Sequence, residues 1–284
     1  MSVETSATTH ATATAAATHE TTAPGRPQGA GEPAKALVPP RRAPFGPPWI
    51  AMYHSVGSCA DDPYRITVTP DRLAQQLRWM ERNRLRGVGV AELLAARAAG
   101  RGRGLVGLTF DDGYTDFLTH ALPLLCRAQF RATVFVLPGR LGGENEWDPL
   151  GPRKPLLTAE GIREAHAAGM EIASHGLTHV QLTGCDEQLL RAETMGSRTL
   201  LSELIRDDVH GFCYPYGSVD ERVATAVRRA GYRYACAIDP GRLSGPYALP
   251  RLHIGQQDTP LRMALKRRLH PLRRRAPRDE AARV

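Results

Sequence analysis

Between residues 49 and 254 the chain alternates short apolar runs with segments whose apolar positions return every three or four residues. The first pattern predicts strands and the second amphipathic helices. The strands so predicted are WIAMYH (49–54), RGVGV (86–90), GLVGLTF (104–110), ATVFVLP (132–138), MEIASH (170–175), GFCYPY (211–216), YACAI (234–238) and LPRLHI (249–254). Helices fit between most of them. Thr69 can cap one that begins at Pro70 and lines up Leu73, Leu77 and Met80, Thr158 can cap one ending before Gly169, and Asp186 can open a long one through Ile205. Such repeated alternation predicts an α/β fold, either a parallel barrel or a doubly wound sheet.

Residues 1–45 are rich in Thr, Ala, Pro and Gly with few large apolar side chains, too few to offset the entropy of ordering. They are expected to form a disordered N-terminal tail, ahead of one catalytic domain over 46–258 and a basic C-terminal tail over 259–284. Composition changes this picture little: 284 residues at 42% hydrophobic suit a globular domain. No window approaches the roughly 20 apolar residues of a spanning helix, and no basic flank leads into an apolar export segment, so the expected location is cytoplasmic. Five scattered cysteines without a CxxC are expected to be reduced thiols. Much of the net charge of +8 gathers in KRRLHPLRRR, residues 266–275, which marks a tail rather than a nucleic-acid groove. A solvated end is the plain reading of that run, and contact with an anionic surface the functional one.

In parallel α/β folds the polar residues at the C-terminal strand ends form the active face. Here those residues are His54, Asp111 and Asp112, His175 with His179, Tyr216 and His253. Two histidines and a carboxylate on one face of a divalent metal leave positions open for water and substrate. Asp112, His175 and His179 supply that set, and Asp111 is left free to act as a base. Each motif is weak alone, since DDG is common in turns and H-x-x-x-H in ordinary helices and loops. Their joint position after separate strands is what gives them weight. Zinc heads the metals this donor set accepts, followed by cobalt, nickel and iron.

TFDDG (109–113), SHGLTH (174–179) and YPYG (214–217) together resemble the motifs of the polysaccharide deacetylases, carbohydrate esterase family 4 with its NodB homology domain. With MYHSV (52–56), they resemble most the branch of poly-N-acetylglucosamine deacetylases. The resemblance implies a distorted (β/α) barrel and metal-dependent removal of acetyl from an N-acetylated sugar. It implies Asp111 as general base, Asp112, His175 and His179 as metal ligands, and the Tyr216 N–H as an oxyanion donor. For the general acid it implies His54 from the early strand, with His253 in LPRLHI as the alternative.

Cys213 stands where many members carry an arginine that orients the base, and Arg251 is a candidate to pair with Asp111 in its place. Trp147 in NEWD could stack on a sugar ring or simply anchor its loop. Two other readings keep part of this picture: hydrolysis of a cyclic amide or formamide on the same fold, or an inactive sugar-binding module. A non-haem iron oxygenase fits less well, because the carboxylate precedes both histidines rather than following the first by two residues.

Overall fold

The computed structural model describes residues 48–238 and 240–269. In chain order its strands are β1 (Ile50–Tyr53), β2 (Ser55–Val56), β3 (Thr67–Val68), β4 (Arg86–Val88), β5 (Leu105–Phe110), β6 (Thr133–Val136), β7 (Glu171–Ser174), β8 (Gly211–Cys213), β9 (Tyr234–Ala237), β10 (Leu249–Pro250) and β11 (Leu252–His253). The helices are α1 (Pro70–Arg82), α2 (Val90–Ala98), α3 (Leu122–Arg127), α4 (Ala159–Ala167), α5 (Glu187–Arg191), α6 (Ser197–Ile205), α7 (Glu221–Arg229) and α8 (Pro260–Leu269). These residues belong to one compact unit. The expected N-terminal tail lies outside the described residues, as does the part of the C-terminal tail beyond Leu269.

All pairings in the main sheet are parallel, in the order β10-β9-β8-β7-β6-β5-β1-β11, with β4 also on β5. Its two ends are consecutive pieces of one extended segment. Leu249 pairs with Cys236 of β9, and Leu252 pairs with Ala51 of β1, so residues 249–253 join the first strand to the last. The sheet thereby closes into a distorted barrel, which leaves few free edges. Arg251 sits at the crossover between the two pairings.

Side chains alternate across this curved sheet with period two. Val106, Leu108 and Phe110 of β5 pack outward under the helices, while Gly107, Thr109 and then Asp111 occupy the other face. Phe135, Ala173, Cys213 and Cys236 line that inner face with Ile50 and Leu249. The same alternation carries His54, Asp111, His175 and Arg251 to one end of the barrel.

The helices begin where the sequence signals them. Thr69 Oγ1 accepts a hydrogen bond from Arg72 N at 3.2 Å, Pro70 occupies the first turn, and α1 buries Leu73, Leu77 and Met80. Each such side chain contributes roughly 1.5–3 kcal/mol. Thr158 caps α4 and Asp186 caps α5, whose line continues through a π-helical turn at Ala192–Gly196 into α6. The structure departs from expectation at the C-terminus: residues 260–269, assigned by sequence to the tail, form α8. Met263 is fully buried, and Lys266 Nζ donates to Asp258 Oδ2 and to the His253 carbonyl, both at 2.7 Å. These tertiary contacts hold a helix whose remaining residues are polar or exposed.

Candidate functional site

Two adjacent carboxylates would repel each other if they faced one centre uncompensated. The structure separates them. Asp112 takes a left-handed backbone (φ 70°), followed by Gly113 (φ 70°), and the sharp turn sends the two carboxylates to different partners. Among the described non-glycine residues with positive φ, Asp112, His179 (φ 70°) and Tyr216 (φ 59°) all belong to this site. The others include Arg84, Gln129 and Arg206, which sit at helix ends where such a conformation is ordinary. Strain of this kind gathers where side chains must be held for a purpose.

Asp111 is buried and receives a two-pronged clamp from Arg251: Nη1 donates to Oδ1 at 2.6 Å and Nη2 to Oδ2 at 2.7 Å. Nη1 also donates to Thr109 Oγ1 at 3.0 Å, and Nη2 lies 2.9 Å from Cys213 Sγ. Arg251 covers the face of Phe135, 5.5 Å from the ring centroid. A guanidinium so fixed matches a carboxylate geometrically as well as electrically. Burial acts most strongly, to raise the Asp111 pKa, but the charge and hydrogen bonds of Arg251 together with the nearby His54 and His175 outweigh it and hold the carboxyl below its usual range. A buried Cys213 therefore does not leave the aspartate unpaired, since the barrel-closing segment brings an arginine from elsewhere in the chain.

Asp112 faces the histidines. Its Oδ1 lies 3.2 Å from His175 Nε2 and 3.4 Å from His179 Nε2, and the three donor atoms fall within 4.8 Å of one another. Burial acts to raise Asp112, while hydrogen bonds from His175 and His179 bring it well below the carboxylate range. Donor separations in tetrahedral zinc sites with bonds of about 2.0–2.1 Å are roughly 3.3 Å, so the set has the size a small divalent cation requires. His175 Nδ1 donates to the Cys213 carbonyl at 2.9 Å, which orients the ring with Nε2 toward Asp112. Nitrogen and carboxylate donors are likewise the chemistry such an ion prefers.

His54 Nε2 stands 3.7 Å from Asp111 Oδ2, and its Nδ1 is buried without a hydrogen-bond partner among the described residues. His253 is less well situated. Burial lowers its pKa, the charges of His54 and Lys266 lower it further, and its ring engages the Arg65 backbone. Trp147 stacks on the His179 ring at 4.3 Å with planes 17° apart, so one indole face is taken by a site histidine rather than left for a sugar. Tyr216 meets His179 edge-on at 4.7 Å and is 53% exposed, at the rim.

Glu193 and Asn145 carry no sequence signal, whereas Gly176 lies inside the SHGLTH stretch as its turn residue. Glu193, on the π-helical turn before α6, is fully buried; its Oε2 accepts from Leu177 N at 2.6 Å and Thr178 N at 3.1 Å, and Oε1 accepts from the Thr178 hydroxyl. It thus ties down the turn that carries His179. Gly176 (φ 85°) has to be glycine, since a Cβ there would lie 2.8 Å from Glu193 Oε2. Buried Asn145 organises the Trp147 loop by accepting from Lys154 N at 2.7 Å and donating to the Pro152 carbonyl at 3.3 Å. Replacing Glu193 by alanine strips two backbone N–H groups of their acceptor and is expected to weaken cation binding by about 10–100-fold. Calorimetric zinc titration of the variant measures this, and an unchanged affinity would contradict the role given to Glu193.

The polysaccharide deacetylase family model matches residues 99–235. The Bacillus subtilis protein named "Putative polysaccharide deacetylase YxkH" is 28% identical over 210 residues, spanning 72% of this chain and 70% of the relative. A poly-beta-1,6-N-acetyl-D-glucosamine N-deacetylase of Staphylococcus aureus is 20% identical over 201 residues, spanning 66% of this chain and 68% of the relative. Among solved structures, the Streptococcus pyogenes deacetylase PplD in complex with acetate has the same fold, with a TM-score of 0.66 at 24% identity over 78% of this chain and 98% of that one.

Proposed function

We propose, from the match of residues 99–235 to the polysaccharide deacetylase family model and the likeness to relatives of that name, that the chain is a metal-dependent hydrolase that removes the N-acetyl group from an N-acetylhexosamine unit. The observation that carries this reading is the pairing, at one barrel end, of an arginine-held carboxylate with an adjacent Asp-His-His cation set.

Asp112, His175 and His179 would hold the cation, with zinc the best match to their donor atoms. Bound there, it supplies Lewis acidity toward the amide carbonyl and acidifies water. Asp111 accepts the proton as the water oxygen adds to the carbonyl carbon, and Arg251 keeps both carboxylate oxygens oriented for that task. Tyr216 donates its backbone N–H to the oxyanion of the tetrahedral species. His54 delivers a proton to the sugar nitrogen as the C–N bond breaks, because an amine leaves only when protonated. Acetic acid and a free amino sugar result; the acid ionises to acetate, and the proton taken by Asp111 passes through solvent to His54, which restores both groups.

The acid assignment separates the two histidines. His54→Ala is expected to lower kcat by about 10²–10⁴-fold, while His253→Ala leaves it within about tenfold. Steady-state acetate release by both variants checks this, and the reverse order would move the role to His253. The reaction itself is tested by acetate release from N-acetylglucosamine, its oligomers and its glycoconjugates, alongside a cyclic amide and an N-formyl sugar. Acetate from the acetylated sugars alone is the expected result. Turnover only of the cyclic amide or the formamide would move the chain to another non-peptide C–N bond.

A further inference from the structure

Helix α8 presents an apolar stripe to solvent. Leu261, Leu265 and Leu269 are 81%, 55% and 43% exposed, and their spacing of four puts them on one face. Met263, which anchors the helix, points about 160° away from Leu265 at roughly 100° per residue. The stripe is therefore not the edge of the packed face but its opposite. Arg262 and Arg268 flank it. Over residues 261–275 the sequence contains seven Lys or Arg and no Asp or Glu.

We propose that α8 is an interfacial helix that docks the domain on an anionic phospholipid bilayer, leucines inserted and basic residues against the headgroups. An exposed leucine row asks for an apolar partner, which nucleic acid does not provide. Flanks of one sign make a second copy of the chain a poor partner, because the two basic faces would repel. A bilayer with acidic lipids answers both requirements at once. At 10 residues the helix is far too short to cross, and no helix among the described residues is long and apolar enough to do so. It would lie in the plane of the interface.

The test is co-sedimentation of the full chain with phosphatidylcholine vesicles and with vesicles that also contain about 30 mol % phosphatidylglycerol. Wild-type protein is expected to partition at least about tenfold more strongly to the acidic vesicles, and L265E to lose at least about tenfold of that. L261E, at the most exposed position, repeats the measurement, and identical circular dichroism melts show that neither variant acts by unfolding. Equal partition of wild type and both variants would reduce the effect to charge alone and overturn the assignment of the helix. So would a wild-type dimer that L265E disperses without any vesicle-dependent sedimentation, which would give the stripe to a second copy.

Discussion

Asp111→Asn is expected to lower acetate release by about 10²–10⁴-fold while the chain stays folded and retains its capacity for one cation. Asparagine keeps the shape of the side chain but cannot take a proton. The proposed cation set of Asp112, His175 and His179 does not include Asp111, so the change leaves its donor atoms in place. The variant will also be less stable than wild type, because one of the two guanidinium N–H donors loses its acceptor and the Arg251 charge stays buried. Activity, metal content by atomic absorption and urea denaturation together separate these effects. More than about a tenth of wild-type turnover in a folded, metal-loaded variant would remove Asp111 from the role of base.

Arg251→Ala should show the larger loss of stability, on the order of 3–5 kcal/mol, since it leaves a carboxylate buried inside the barrel without its counter-charge. The dependence on pH follows from the sign of the shift. In wild type the Asp111 pKa is depressed, so its stabilising contribution is complete above the ordinary carboxylate range and fades only as the pH falls through its lowered value. Without Arg251, burial raises that pKa instead, and protonation in acid relieves the variant. The difference between the two proteins is therefore greatest near neutral pH and shrinks in acid, which parallel urea titrations measure. Turnover should drop at least about 10²-fold with little change in metal content. A variant as stable as wild type at neutral pH would mean that the clamp contributes nothing.

Much of this arrangement was legible in the sequence because the strands are short, apolar and bounded by turn residues. Reading polar residues at strand ends gathers His54, Asp111, Asp112, His175, His179, Tyr216 and His253 without reference to structure, and barrel geometry does bring the first six together. Arg251 was a candidate through the arginine missing from the stretch around Cys213. How it reaches Asp111 depends on one segment pairing with both β9 and β1, a long-range fact without a local pattern. Glu193 reads in sequence as a solvated helical charge, and only the turn at Leu177 and Thr178 reveals its purpose. For Trp147 the sequence leaves sugar stacking and loop anchoring equally open, and the structure stacks one of its faces on His179. At α8 the basic composition reads as a tail, and the helix's one fully buried anchor, Met263, gives almost no periodicity.

Everything proposed for the reaction rests on Asp112, His175 and His179 holding a catalytic cation beside Asp111. The most direct test is to strip the protein with a chelator and titrate zinc back while following acetate release from an N-acetylglucosamine oligomer. No turnover is expected in the stripped protein, and recovery should saturate at one equivalent per chain, with His179→Ala unable to recover. Turnover that survives chelation undiminished would contradict that role of the cation.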